Sequence, residues 1–165
     1  IKKLKISDNT FINSMNTFKG LDHRYQIIYK NKFITCINDS KATSFDATKH
    51  ALMNSKNIYW ILGGLPKRGD IFNFKNFKKN IIRGYVIGRN INFYKKNLKK
   101  KIDFVISKTL QKAIIQICFS IKYDKKKNKV ILFSPSAASY DQFKNFEERG
   151  DEFKRLIKKN ANKYF

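Results

Sequence analysis

The chain has 165 residues, 42% apolar and 15% aromatic, with 36 basic against 12 acidic side chains and a net charge of +24. That length predicts one domain with an independent core, and the apolar content excludes a disordered polyelectrolyte. Cys36 and Cys118 lie far apart and outside any Cys/His cluster, which excludes a disulfide scaffold and a zinc module. No apolar run reaches the roughly 18–20 residues of a membrane span, so no membrane partner is expected. The opening Ile1-Lys2-Lys3-Leu4 does not read as a secretory signal, and the missing initiator methionine predicts a piece of a longer protein.

In chain order, Phe11, Ile12, Met15 and Phe18 recur at helical spacing and predict a short amphipathic helix over residues 8–18. Tyr25–Tyr29 and Phe33–Ile37, joined by Lys30-Asn31, predict a β-hairpin. A helix is expected from Phe45 to Asn54. Ile58–Leu62 is a continuous apolar run ending in Gly63-Gly64, the pattern of a parallel strand buried on both faces. Residues 71–80 read as a helix, Arg83–Ile87 as a strand ending at Gly88, residues 90–98 as a helix and Phe104–Ile106 as a short strand. Thr109 to Lys122 is a long apolar helix, Lys129–Phe133 the last strand, and Asp141–Asn160 a helix broken near Gly150. The alternation predicts an α/β, Rossmann-like, mostly parallel six-stranded sheet with helices on both faces. The N-terminal hairpin would add one antiparallel strand.

The charge itself says little about partners. Thirty of the 36 basic residues are lysine, with arginine only at positions 24, 68, 83, 89, 149 and 155. A dedicated nucleic-acid reader favours arginine for its bidentate fork. Abundant Asn and Ile beside Lys fit codon drift in an AT-rich genome, and runs such as Lys99-Lys100-Lys101 suit solvated faces. No specific nucleic-acid partner is expected; a basic nucleic-acid-binding module is the alternative.

Ligands of open α/β sheets bind beyond the carboxyl ends of the parallel strands. Three post-strand loops are candidates there: Asn38-Asp39-Ser40-Lys41-Ala42-Thr43, Gly63 to Asp70, and Ser134 to Asp141. Their hydroxyls, lysines and adjoining helix N-termini suit carboxylates or phosphates. Standing alone, Asp39 and Thr43 suit capping of the next helix, Gly63-Gly64 a tight turn, and Ser134-Pro135 a strand end. No Cys–His pair supplies a nucleophile, and His50 stands alone on a helix.

Four segments carry a resemblance: Phe18-Lys-Gly-Leu-Asp-His-Arg24, Asn38–Thr43, Gly63-Gly-Leu-Pro-Lys67, and Ser134 through Gly150. In order and spacing they resemble the C-terminal domain of the D-glutamate-adding Mur ligases. The resemblance implies that residues 1–18 end an interdomain connection with a first helix, and that residues 19–165 form the Mur ligase C-terminal domain. It also implies a cytoplasmic bacterial enzyme of cell-wall peptidoglycan synthesis, expected as a monomer. That enzyme would use ATP and Mg2+ to activate the carboxylate of UDP-N-acetylmuramoyl-L-alanine for attack by D-glutamate.

By position in the motifs, Thr43 and Lys67 would hold the α-carboxylate of D-glutamate. Ser139, with the backbone around Tyr140 and Phe146, would hold its side-chain carboxylate. His23, Arg24 and Asp39 would line the adenosine side, and Lys41 would lie near the phosphates as the catalytic lysine. Two carboxylates ask for two donor clusters and for a buried lysine as charge complement. The resemblance puts the phosphate loop, the metal ligands and the uridine site in two other domains, so this chain alone is expected to be inactive. A non-catalytic remnant of such a ligase is a further possibility, against which intact Asp39, Lys41, Lys67 and Ser139 argue.

A charge that is only a solvated coat predicts weak nucleic-acid binding that falls by orders of magnitude between roughly 50 and 200 mM salt. Fluorescence polarisation against mixed oligonucleotides checks this, and tight, salt-resistant, sequence-selective binding would contradict it.

Overall fold

The computed structural model describes residues 5–18 and 20–165. Residues 1–4, expected to end an interdomain connection, lie outside the described residues, as does Lys19. The first helix, α1 (Asp8–Thr17), starts where the Ser7 hydroxyl accepts the Thr10 N–H. None of its residues is buried, and Phe11, Ile12 and Met15 face solvent.

The hairpin forms as expected from β1 (Gln26–Lys30) and β2 (Ile34–Asn38), with the Asn31 carboxamide oxygen accepting both the Phe33 and Ile34 N–H groups at the turn. Then follow α2 (Phe45–Met53), β3 (Ile58–Gly63), β4 (Ile81–Ile87), α3 (Ile91–Leu98), β5 (Phe104–Lys108), α4 (Leu110–Tyr123), β6 (Lys129–Phe133) and α5 (Phe146–Tyr164). The six strands form one sheet in the order β1-β2-β6-β3-β4-β5, antiparallel only between β1 and β2. The expected α/β architecture is therefore the observed one.

Strand β3 lies near the middle, and all six of its residues are buried. Successive side chains of a strand point to opposite faces. Tyr59 and Ile61 accordingly enter one core with Ile114 and Ile117 of α4 and Phe153 and Ile157 of α5. Trp60 and Leu62 enter the other with Phe45 of α2 and Tyr94 and Leu98 of α3. A run that needs no polar face has helices to cover both sides.

Two expectations fail here. Residues 71–80 are not a helix: only a single 3-10 turn, Lys78–Asn80, forms within them. Phe72, Phe74 and Phe77 are instead drawn one by one into the α2–α3 core, where Phe72 stacks on Phe45 with centroids 4.1 Å apart. Burial of three large rings outweighs the helical spacing. The C-terminal helix also begins at Phe146 rather than Asp141, and it runs to Tyr164 with no break at Gly150. Its start is fixed by Asn145, whose side chain accepts the Glu148 N–H at 2.7 Å.

Because the Phe72 ring fills core volume rather than a surface groove, Phe72→Ala is expected to cost about 3–5 kcal/mol of unfolding free energy, measured by urea denaturation. A cost near zero would contradict the packing.

Candidate functional site

The carboxyl ends of β2, β6 and β3 are neighbours, so the three post-strand loops emerge side by side. They are also tied to one another. The Asp39 N–H donates to the Phe133 carbonyl at 2.7 Å, and the Ser134 hydroxyl donates to Asp39 Oδ2 at 2.6 Å. Leu65 and Ala138 exchange backbone hydrogen bonds at 2.9 and 3.0 Å, joining the second loop to the third. Asp70 closes the triangle by accepting the Phe45 N–H at 2.7 Å, which pins the second loop to the start of α2, beside Thr43. Gly64 is needed at the crossing: its φ is +133°, and a Cβ there would overlap the Ala138 carbonyl oxygen.

Thr43 and Lys67 are exposed on this rim, whereas Ser139 is buried and the next residue, Tyr140, is exposed. Phe146 opens α5 and contributes that helix's first backbone N–H. Thr43, Lys67 and Ser139 thus sit on three loops tied to one another, and Phe146 is joined to the first of them by the Ser40 hydroxyl, which donates to its carbonyl at 2.8 Å. Neither Asp39 nor Thr43 caps α2; that part is played by Ser44, whose hydroxyl accepts the Ala47 N–H. Asp39 is turned inward, with Oδ1 accepting the Tyr25 N–H at 3.1 Å and Oδ2 bound to Ser134. Burial raises its pKa, against the opposing pull of those two hydrogen bonds.

Alongside the same loop, Arg24 is exposed and His23 is buried. His23 has φ +60°, and its Nδ1 lies 3.1 Å from the Asn38 amide nitrogen, while that amide also donates to the Gly150 carbonyl at 3.0 Å. A Cβ on Gly150 would overlap the His23 ring. The glycine that reads as a helix breaker is a contact surface for histidine.

The expected buried lysine is absent from its place. Lys67 is exposed and Lys41 is half-buried; Lys129 is buried at the other end of β6, and the cation buried at the rim is Arg149, 1% exposed. Its Nε donates to the Ser40 hydroxyl at 3.1 Å and its Nη2 to the Ser40 carbonyl at 2.7 Å, while Nη1 has no hydrogen-bond partner. Desolvation pushes its pKa down to about 10, so it stays charged at neutral pH. Arg149, Asp70, Asn38 and Thr48, whose hydroxyl lies 2.9 Å from both Ser134 and Ser136, build the rim without standing out in the sequence. Asn38 and Asp70 bound two of the candidate loops and Arg149 lies in the last resembling segment, while Thr48 had no signal.

An open groove of about 960 Å³ lies between the starts of α4 and α5. Glu147, Glu148, Asp151 and Glu152 line it, which makes it unsuited to a carboxylate or phosphate. The anion-binding inventory belongs to the rim.

No family model matches the chain. Individual relatives do. Proteins named UDP-N-acetylmuramoylalanine–D-glutamate ligase match it in the Wolbachia of Brugia malayi (36% identity over 96% of this chain), Rhizobium meliloti (38% over 90%) and Rickettsia felis (36% over 97%). Over 90–97% of its own length the chain is similar to a part of proteins so named. It spans about one third of the length of these relatives, 32–36%, a share consistent with their C-terminal domain. Among the described residues, no helix is long and apolar enough to cross a membrane.

In an unhindered helix Gly→Ala gains about 1 kcal/mol. In this domain Gly150→Ala is expected to destabilise, whereas the same change made on a His23→Ala background is expected to stabilise. Urea midpoints of the four proteins close the cycle, and equal effects in both backgrounds would refute the interlock.

Proposed function

We propose that this domain supplies the D-glutamate site and one wall of the ATP site of a peptidoglycan-building ligase. The observation that carries the reading is the tied rim, which places Thr43, Lys67 and Ser139 on three adjoining loops. Residues 19–165 act as the C-terminal domain. Thr43 and Lys67 hold the α-carboxylate of D-glutamate by a hydroxyl and an ammonium. Ser139, with the backbone at Tyr140 and Phe146, holds the side-chain carboxylate. The charge of Arg149, buried under the same loops, adds a positive field for both.

Arg24 lines the adenosine side with His23 and Asp39 packed behind it, and Lys41 serves the phosphates. ATP supplies the driving force by making the L-alanyl carboxylate of UDP-N-acetylmuramoyl-L-alanine an acyl phosphate. Fixing both carboxylates of D-glutamate leaves its amine as the free end, aimed at that acyl group. This is catalysis by position and charge rather than by proton transfer from the domain. The resemblance puts the ligands of Mg2+ in another part of the enzyme, which works as a monomer in the bacterial cytoplasm.

In the full ligase, Lys67→Ala and Ser139→Ala are each expected to raise the KM for D-glutamate about 10- to 100-fold, the loss of one hydrogen bond to a charged group. The ATP requirement should change little. The 165-residue chain by itself is expected to show D-glutamate-induced amide shifts at Thr43, Lys67 and Ser139 but no D-glutamate-dependent ATP hydrolysis. Unchanged D-glutamate kinetics in both variants would defeat the assignment.

A further inference from the structure

Lys41 and Phe146 meet at the junction of the rim's two halves. The Lys41 ammonium lies 3.7 Å from the centroid of the Phe146 ring, while the other lysine–ring pairs among the described residues lie 5.3–5.9 Å apart. The backbones on both sides are held fast. The Lys41 N–H donates to the His23 carbonyl at 3.0 Å, the Ser40 hydroxyl donates to the Phe146 carbonyl at 2.8 Å, and Arg149 grips Ser40 from below. By contrast, none of the ion pairs among the described residues involves Lys41, so the ring face is what holds its charged end.

We propose that the Phe146 ring is the resting seat of the Lys41 ammonium, from which a phosphate-bearing ligand draws it, making Phe146 a positioning residue for the phosphate side of the site. The proposal rests on the reading of the rim given above. Physical chemistry supports the exchange: a ring face attracts a cation weakly and without fixed direction, whereas phosphate offers charge-assisted hydrogen bonds, which are stronger. A cation on a ring is therefore kept near its target and kept available, where a carboxylate partner would trap it. The same ring meets His23 edge-on, with centroids 6.1 Å apart. Phe146 thus touches two residues of the nucleotide side, while its own N–H serves the amino-acid side. Occupation of either half is felt by the other through one aromatic side chain.

The test is NMR on the 165-residue chain carrying 13C-labelled lysine, with the Lys41 ε-CH2 signal assigned by K41R. A cation over a ring face shifts this signal upfield; the shift is expected in the wild type, kept in Phe146→Tyr and lost in Phe146→Leu, which preserves bulk without a π face. Inorganic tripolyphosphate is expected to abolish the shift, whereas sodium chloride at matched ionic strength is not. The wild-type titration needs no change at Phe146, so a Phe146→Leu chain that fails to fold does not blunt the test. No upfield shift, a shift that survives in folded Phe146→Leu, or one unmoved by tripolyphosphate would each overturn the seat. If the Lys41 signal behaves as expected while D-glutamate leaves Thr43, Lys67 and Ser139 unmoved, the seat stands and the amino-acid reading falls.

Discussion

Three parallel strands side by side, β2, β6 and β3, are the constraint from which the rim follows. Parallel pairing sends all three chains out at one edge, so residues distant in sequence leave the sheet as neighbours. The ties then fix the loops against one another: Asp39 with Ser134, Leu65 with Ala138, and Asp70 with Phe45. Each tie uses a buried or half-buried polar group that would cost free energy if left unpaired. The loops are therefore held to one another as well as to the strands that deliver them, which a site working by position requires.

Charge acts at two levels in this domain. The +24 excess is mostly lysine on solvated faces, screened by salt and loosely oriented. Arg149 is a single charge held where water does not reach it, and its worth per unit charge is correspondingly greater. A guanidinium spreads its charge over a planar fork, which lets Ser40 take two of its donors while the charge stays near the rim.

Much of this was legible in advance, for identifiable reasons. The hairpin, the buried strand β3 and the alternating helices follow from apolar periodicity and from glycine and asparagine at the turns. The loop set was legible because parallel strands ending in Gly-Gly or Ser-Pro have only one edge on which to display their loops. The 71–80 segment was not, because aromatic spacing alone does not tell a helix face from single rings dropped into a core. Gly150 read as a break, since local propensity does not foresee a histidine arriving from residue 23. Arg149 was hidden among 36 basic residues, and only burial distinguishes it from the surface coat.

Helix α1 stands apart from all of this. None of its ten residues is buried, and helices shorter than about 12–15 residues are marginal in water on their own. It therefore draws little support from the sheet, and the sheet little from it. In the language of native-state amide exchange, α1 and the α/β core are separate cooperative units, so the helix can open many times while every strand stays closed.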